Sequence, residues 1–337
     1  RTAKSSASTS GEWSNVTVMK RSVSFTWLDV FAEQPLGGNP LAVFDGASLS
    51  DDALLPLTRE MSLSETTFFY PPSRPSEADA KVRIFTQAKE VPFAGHPVLG
   101  TACALLLTGR LPWKAPETTV RLELGIGVVQ VTVEGSDKPE RARFSHNRIG
   151  VTAAPIQDER LAWLPPALGI ASERLGTKLL LEGREKILSP QVVNGGALQL
   201  LVPVQSAPAI EEISASYNDV VVAERLLGAE LGIMAFAFVA PPLSGPPVRV
   251  RARFFAHDAP YEDPATGSAA AALAVYLHHH QVLRAGQTLE IDQGPPRGRV
   301  EGAPGRRSLL RATCDGKTVQ VEGRVREVLR GDINLNI

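Results

Sequence analysis

The sequence predicts a mixed α+β protein built from two related domains. The chain has 337 residues, which exceeds the usual size of a single hydrophobic core. Short β-branched and aromatic segments are interspersed with helical segments, one of which is apolar on every side and therefore belongs at the centre of a domain. A strand, loop and helix pattern also recurs once along the chain, at a distance too long for a solenoid.

The repeat becomes visible when Arg83-Ile84-Phe85 is placed over Arg253-Phe254-Phe255 without a gap. Each copy continues through an acidic, proline-containing loop into a glycine-bearing turn and an apolar helix. Two such domains facing each other would direct two buried helix N-termini into one cleft, which suits a small carboxylate. Chance similarity between two helices rich in alanine and glycine is the alternative.

Strand and helix signals place the domain junction near residue 150, in the loop-like segment 148–158. Before the junction, an opening hairpin and further strands surround two helices. Predicted strands are 24–29, 41–44, 64–70, 81–86, 118–134 and 142–145, with helices at 51–61 and 98–107. After the junction, predicted strands are 186–189, 198–204, 233–240, 248–255, 289–293, 308–313 and 319–329, with helices at 166–174 and 216–227 and a further alanine-rich helix starting after residue 264.

Three residues stand at element boundaries where chemistry is feasible. Asp263 precedes Pro264, a pair that predicts the capped entrance of the alanine-rich helix. His96 lies in a Gly-His-Pro turn at the mouth of the first apolar helix. Glu65 falls near a helix-to-strand junction, where an isolated glutamate is usually a solvated charge.

Composition excludes several classes of function. Lys+Arg 35 against Asp+Glu 36 leaves a formal charge of -1, which does not favour nucleic acid or an anionic membrane as a partner. No apolar run approaches the roughly 18 to 20 residues that cross a bilayer. A small neutral or zwitterionic ligand is the expected partner. Residues 1–23 are predicted to be a disordered extension, with a transit segment as a weak alternative for residues 1–20.

Cysteine and histidine usage predicts neither a disulfide nor a metal site. Cys103 and Cys314 stand alone in unrelated contexts, so a reducing compartment, the cytoplasm, is expected. Cys103 lies in an apolar helical run and is expected to be a buried, inert thiol. The run His278-His279-His280 lacks accompanying carboxylates or cysteines and is interpreted as a polar helix end.

Four blocks follow one another along the chain and together are highly specific. They are Gly38-Asn39-Pro40-Leu41-Ala42-Val43, Ser64-Glu65-Thr66-Thr67-Phe68, Arg83-Ile84-Phe85-Thr86 with Glu90-Val91-Pro92-Phe93-Ala94-Gly95-His96-Pro97, and Glu262-Asp263-Pro264-Ala265-Thr266-Gly267-Ser268-Ala269. In content and order they resemble the signature blocks of the PhzF-like proteins of phenazine biosynthesis. The resemblance extends from about residue 24 to the C-terminus.

The resemblance implies a diaminopimelate-epimerase-like fold of two pseudo-symmetric domains, 24–150 and 151–337, each a sheet wrapped around a central helix. The last strand can return to the first domain, the active site lies between the domains, and the protein is expected to be a homodimer. It also implies isomerisation of a small cyclic acid such as trans-2,3-dihydro-3-hydroxyanthranilate, without metal or organic cofactor. Glu65 matches the catalytic acid/base of the family; the matching substrate-binding residues are His96, Asp263, Ser268, Gly95 and Gly267.

This chemistry fits the residues, because a proton shift on one face of a ring needs one group that accepts and returns the proton. A carboxylate shielded in a cleft can have a pKa raised towards neutrality. Epimerisation, tautomerisation or elimination with the same base is an alternative, as is a non-catalytic ligand-binding dimer.

Two features depart from related patterns. Racemases of the fold use two opposed cysteines at the helix mouths, whereas Ala94 and, on the gapless alignment, Pro264 stand there, which disfavours a two-thiol mechanism. The family's Gly-Arg-Pro-Ser turn near the C-terminus lacks its Pro-Ser in the segment 293–301, which bears on the local loop and the substrate fit.

Overall fold

The computed structural model describes residues 21–181, 183–242, 245, 247–256, 262–296 and 305–335. Within these ranges the chain is a sheet-dominated α+β structure with few helices. The strands are β1 Arg21–Val30, β2 Asn39–Asp45, β3 Glu65–Tyr70, β4 Ala80–Thr86, β5 Glu90–Val91, β6 Glu117–Leu124, β7 Gly127–Glu134, β8 Arg141–His146, β9 Ile149–Val151, β10 Thr177–Leu181, β11 Arg184–Leu188, β12 Gln191–Gly195, β13 Leu198–Pro203, β14 Ile233–Phe238, β15 Val248–Phe255, β16 Glu262–Asp263, β17 Leu289–Gln293, β18 Ser308–Cys314 and β19 Val319–Leu335. The α-helices are α1 Asp51–Met61, α2 Gly95–Leu107, α3 Leu164–Leu168, α4 Ala207–Glu212, α5 Tyr217–Leu227 and α6 Gly267–His279.

Strand pairing follows the same order in the two halves of the chain. In the first half β1 pairs antiparallel with β2, β2 parallel with β3, β3 antiparallel with β4, and β4 parallel with β6. In the second half β12 pairs antiparallel with β13, β13 parallel with β14, β14 antiparallel with β15, and β15 parallel with β17. The antiparallel series β6–β7–β8 is likewise matched by β17–β18–β19.

Helices α2 and α6 occupy corresponding places in this order, and both are buried. Almost every residue of α2 and most residues of α6 are inaccessible to solvent. Alanine, leucine and valine on all sides leave neither helix with a polar face, so each is stable only when strands surround it. Both helices pack in one continuous hydrophobic cluster that also includes strands from the two halves.

The halves are joined by strands that cross between them. Strand β19 pairs with β18, then with β8 and β1 of the first half, and Arg21 lies opposite Leu335. Strand β9 pairs in turn with β12. The first strand therefore begins at Arg21 rather than at Ser24, because its early residues hydrogen bond to the end of β19, and an extension reaching residue 23 is too long. Residues 1–20 lie outside the described ranges.

The gapless alignment of the repeat is wrong by two residues. Phe85 pairs with Glu90, and its counterpart Phe255 pairs with Glu262, so the connecting segment is two residues longer in the second copy. Helices α2 and α6 then begin at Gly95 and Gly267. The residue that corresponds to Ala94 is consequently Thr266 rather than Pro264.

Some helices and strands of the second half were also predicted wrongly or missed. The helix expected over 166–174 ends at Leu168, because Gly169 adopts a left-handed conformation with φ of 62°. Strand β12 and helix α4 were not predicted, although Ser206 caps α4 through its hydroxyl group. Helix α1, by contrast, has the predicted bounds Asp51–Met61.

Candidate active site

The N-termini of α2 and α6 meet at two glycines. A Cβ atom built on Gly95 would lie 3.4 Å from the Cα of Gly267, and one built on Gly267 would lie 3.5 Å from the Cα of Gly95. The N-cap residues Ala94 and Thr266 make no side-chain capping hydrogen bond. Two helices of 13 residues thus direct their positive dipole ends and first-turn N–H groups to one place, an arrangement that favours an anion.

Glu65 is placed at this junction by the end of α1 and the start of β3. Ser62 adopts a left-handed conformation that ends the helix, and the chain enters the sheet at Glu65, which lies opposite Thr86. The Glu65 side chain is 19% exposed, and its Oε2 lies 3.6 Å from Nε2 of His96. Glu65 is therefore not the solvated strand-end charge that an isolated glutamate at such a position usually is.

His96 is the second residue of α2 and is buried. Burial lowers its pKa to about 3, so the imidazole is neutral at physiological pH. The contact with Glu65 is then one between a carboxyl group and a neutral ring, not an ion pair. A neutral imidazole can donate from one ring nitrogen and accept at the other, which allows it to respond to either protonation state of Glu65.

Asp263 is not a helix cap, contrary to the sequence-based prediction. It lies in β16, three residues before the N-cap Thr266, because the turn 263–266 separates the strand from the helix. Its Oδ1 accepts a hydrogen bond of 2.7 Å from Nδ2 of Asn39, and its Oδ2 accepts one from the hydroxyl of Thr266. Both oxygens of the carboxylate are thereby held in place, while an ionised carboxylate keeps further lone pairs for a ligand.

Gln293 holds the turn between Asp263 and α6. It is fully buried at the end of β17. Its Nε2 donates to the Asp263 carbonyl at 3.0 Å and to Thr266 Oγ1 at 2.9 Å, and its Oε1 accepts from the Thr266 backbone N–H at 3.2 Å. The N–H of the N-cap residue is therefore satisfied by a glutamine of another strand, and this contact does not use the N–H groups of Gly267 and Ser268.

Asn39 connects the two halves of the site. Its amide nitrogen also donates to the Ala265 carbonyl at 3.0 Å, and its Oδ1 accepts from the Ser64 hydroxyl at 3.3 Å. Ser64 immediately precedes Glu65, so a chain of hydrogen bonds extends from the neighbour of Glu65 to Asp263. Asn39 belongs to a recognised sequence block, yet its role was missed because its partners lie far away in sequence.

A buried ion pair supports the loop that leads to Asn39. Asp29 is fully buried and pairs with Arg306, which also donates to the carbonyls of Gly37 at 2.6 Å and Gly38 at 2.9 Å. Burial raises the pKa of Asp29, and the guanidinium of Arg306 acts in the opposite direction. The arginine thus ties the loop before β2 to the segment before β18.

Ser268 is the second residue of α6 and occupies the position that His96 holds in α2. Its Oγ accepts a hydrogen bond of 3.0 Å from Nε2 of Gln199, a fully buried residue of β13. All six residues predicted from the sequence therefore lie at or beside the junction of the helices. Gln199 and Gln293 were not predicted, since a glutamine in a strand carries no local signal of function.

Neither cysteine stands at a helix mouth, and the triple histidine is engaged elsewhere. Cys103 and Cys314 are buried, and burial raises the pKa of both thiols. His278 contacts the Leu283 carbonyl at 3.1 Å, and His280 contacts Oε1 of Gln191 at 2.8 Å. Among the described residues, histidine, cysteine and carboxylate side chains form no group of three or more that could hold a metal ion.

An open cleft of about 410 Å³ lies away from this junction, beside β6, β7 and β8. Three carboxylates, those of Glu117, Glu134 and Glu140, line it. Each pairs with an arginine, the first two with Arg143 and the third with Arg324. Since these charges neutralise one another locally, the converging helix termini are the better candidate site.

No helix in the described ranges has the length and hydropathy of a membrane span.

Comparisons with known proteins identify the family of the chain. The family PhzC-PhzF, described as phenazine biosynthesis-like protein, matches residues 28–330. A trans-2,3-dihydro-3-hydroxyanthranilate isomerase of Pseudomonas aeruginosa is 33% identical over 312 residues, which cover 88% of this chain and 97% of the relative.

Solved structures show the same fold. One of a predicted epimerase from Pseudomonas aeruginosa is 30% identical, with a TM-score of 0.71, and the match covers 92% of this chain and 99% of that one. A PhzF-family protein from Bacillus anthracis superposes with a TM-score of 0.75 at 18% identity, covering 94% of this chain and 100% of the other. The chain is therefore an isomerase that belongs to the PhzC-PhzF family of phenazine biosynthesis-like proteins.

Proposed function

We propose that this protein is a cofactor-independent isomerase in which one carboxylate, that of Glu65, removes and returns a proton. The substrate class is a small cyclic amino or hydroxy carboxylic acid, such as trans-2,3-dihydro-3-hydroxyanthranilate, on which the 33% identical relative acts by its name. The observation that carries the proposal is the 3.6 Å contact between half-buried Glu65 and buried, neutral His96 at the meeting point of two helix N-termini.

The other groups suit the two ends of such a substrate. The first-turn N–H groups at Gly95 and Gly267, with the Ser268 hydroxyl, are suited to a carboxylate. Asp263, oriented by Asn39 and Thr266, is suited to an amino group. With both ends of the substrate held, a carbon acid between them can be presented to Glu65.

The position in the second half that corresponds to Glu65 holds no carboxylate, which supports a single base. Glu65 precedes Thr66, which lies opposite Phe85, whereas the counterpart Phe255 lies opposite Ile233. Gly232 therefore occupies the position equivalent to Glu65. A Cβ atom there would lie 2.5 Å from the Phe255 carbonyl oxygen, so no side chain fits. One group that both accepts and returns the proton favours a shift along one face of the substrate.

We also propose that residues 24–150 and 151–337 form two pseudo-symmetric domains of diaminopimelate-epimerase-like fold, and that the protein acts as a cytoplasmic homodimer. The recurring order of strand pairing and the matching positions of α2 and α6 support the two-domain description. The dimer and the compartment rest on family resemblance and cysteine usage.

Proton exchange in deuterated water tests the chemistry. The purified protein is incubated with cyclic and linear amino acids and dihydroaromatic acids, and NMR detects deuterium incorporation and product. We expect incorporation that falls at least about 10³-fold in Glu65→Gln while substrate binding persists. The control is Glu60→Gln, which changes an exposed glutamate of the neighbouring helix α1 and should leave the rate unchanged.

The outcomes separate the alternatives. Full exchange in Glu65→Gln would remove Glu65 from the mechanism. Exchange at a stereocentre with inversion and no double-bond shift would identify an epimerase. Binding of a substrate by the wild-type protein with neither exchange nor product formation would favour a ligand-binding dimer.

A further inference from the structure

Gln199 is a buried polar residue whose counterpart in the first half of the chain is apolar. Ala42 lies opposite Thr66 between β2 and β3, and Leu200 lies opposite Ile233 between β13 and β14. Because these pairs correspond, Gln199 corresponds to Leu41, the residue before Ala42. Leu41 packs on its central helix, with Cδ2 only 2.5 Å from where a Cβ of Gly100 would be.

The amide of Gln199 is turned toward the candidate site instead of filling the core. The residue has no exposed surface, and its Nε2 lies 3.0 Å from Ser268 Oγ. Its Oε1 is buried and has no hydrogen-bond partner among the described residues. A buried amide with an unsatisfied oxygen costs stability, on the order of 1–3 kcal/mol, so packing alone does not account for it.

The direction of this hydrogen bond determines what Ser268 can do. A hydroxyl has one proton and can accept as well as donate. When Gln199 donates to Ser268 Oγ, the serine proton is free to be donated to another acceptor. At the N-terminus of α6, the acceptor that complements the dipole and the N–H groups is an anionic oxygen.

We propose that Gln199 is a positioning residue that holds the Ser268 hydroxyl as a donor toward the carboxylate of the substrate. This inference rests on the proposed function, because it assigns the carboxylate end of that substrate to α6. Gln199 acts through Ser268 and has no part in the proton transfer by Glu65. Its loss therefore weakens binding more than it slows chemistry.

The test compares Gln199→Leu with Gln191→Leu. Leucine restores the residue type found at the corresponding position 41. Gln191 is a matched control, because it is also a buried glutamine, on the adjacent strand β12, but it bonds to Ala153 at 2.7 Å and to His280 at 2.8 Å. Calorimetry measures the Kd of anthranilate, a planar amino acid that has the carboxylate but lacks the saturated ring carbons.

We expect Gln199→Leu to raise the Kd of anthranilate about 10-fold, the loss of one charge-assisted hydrogen bond, and Gln191→Leu to leave it unchanged. Ser268→Ala is expected to raise the Kd similarly, and Gln199→Leu to add less than about 2-fold in the Ser268→Ala background. For a substrate that exchanges protons, the same pattern should appear in KM, with kcat within about 3-fold of wild type.

Independent, multiplicative effects of Gln199→Leu and Ser268→Ala would overturn the inference, as would equal effects of Gln199→Leu and Gln191→Leu. The proposed function fails separately. A wild-type protein that binds anthranilate and shows the coupling, yet neither exchanges a proton on any substrate nor converts one, would retain the role of Gln199 and lose the isomerase mechanism. A wild-type protein with neither anthranilate binding nor an exchanging substrate would overturn both.

Discussion

Asn39 and Asp263 are 224 residues apart in sequence and are joined by a hydrogen bond of 2.7 Å. The bond links β2 of the first half to β16 of the second, and it leaves the Asp263 carboxylate with one oxygen facing an amide donor. The same amide nitrogen reaches the Ala265 carbonyl in the turn before α6. One side chain of the first half thus orients the acidic group that the second half contributes to the site.

Replacing the amide by a second carboxylate tests this relationship. We expect Asn39→Asp to lower the free energy of unfolding by about 3 kcal/mol near neutral pH, because two carboxylates at hydrogen-bond distance repel each other. One of the pair must hold a proton in the folded state, so the destabilisation decreases as the pH falls towards about 4. Asn39→Ala should cost about 1–3 kcal/mol without this pH dependence. Urea unfolding at several pH values measures both, and parallel pH profiles for the two variants would contradict the expectation.

Two ion pairs at corresponding positions of the two halves have the same geometry but differ in how deeply they are buried. Arg83 binds Glu90 through Nε at 2.9 Å and Nη2 at 2.7 Å, and Arg253 binds Glu262 through Nε at 3.0 Å and Nη2 at 2.7 Å. Each guanidinium lies 5.2 Å from the ring centre of a phenylalanine two residues later. The geometry is shared, but the side chains are 22% and 43% exposed in the first pair and 8% and 5% in the second.

We expect Glu262→Gln to destabilise the fold by about 3–5 kcal/mol, because it leaves the charge of Arg253 buried without its partner. Glu90→Gln should cost at most about 1 kcal/mol, since water reaches that carboxylate and Arg83 keeps a contact of 2.7 Å with Asp51. Denaturant unfolding of the two variants measures the difference. Equal costs would show that burial does not separate the pairs.

His96 should make stability depend on pH. Burial lowers its pKa from 6.5 to about 3 in the folded protein, so between these values the unfolded chain binds more protons. The free energy of unfolding is therefore unaffected by this group above about pH 6.5 and decreases as the pH falls towards 3, by up to about 1.4 kcal/mol per pH unit. His96→Gln should therefore lose less stability than the wild type between about pH 6.5 and pH 4.5 in urea titrations. An unchanged slope in the variant would assign the dependence to other groups.

Alanine substitutions at two glycines of α2 should have different effects, one on ligand binding and the other on stability. Gly95→Ala places its Cβ 3.4 Å from Gly267, an ordinary contact, so we expect a folded protein with an unchanged Tm. The methyl group would occupy the space between the two helix mouths and weaken anthranilate binding at least about 10-fold. Gly100→Ala instead places its Cβ 2.5 Å from Leu41 Cδ2 and should destabilise the core by about 1–3 kcal/mol. Calorimetry measures the binding of anthranilate by both variants, and thermal unfolding measures their stability. Undiminished binding by Gly95→Ala would place the ligand elsewhere.

The motif blocks were sufficient to identify the residues at the helix mouths. Glu65, His96, Asp263 and Ser268 could be named because the blocks that contain them resemble the signature blocks of the family, whereas local signals alone make Glu65 an ordinary strand-end charge. The two apolar helices were similarly visible, since burial on all sides leaves no polar residue in the pattern.

The positions of these groups relative to one another depended on tertiary structure. The two-residue difference before α6, which makes Thr266 the counterpart of Ala94, follows from which residues pair between β15 and β16. Asn39, Gln199 and Gln293 take part in the site through hydrogen bonds that span 224, 69 and 27 residues. A single side chain carries no periodic signal, and its hydrogen-bond partner is determined only when the strands are assembled, because that assembly decides which polar groups are buried beside one another. The sequence by itself thus determined the chemical groups of this site, and the assembled sheet decided their orientation.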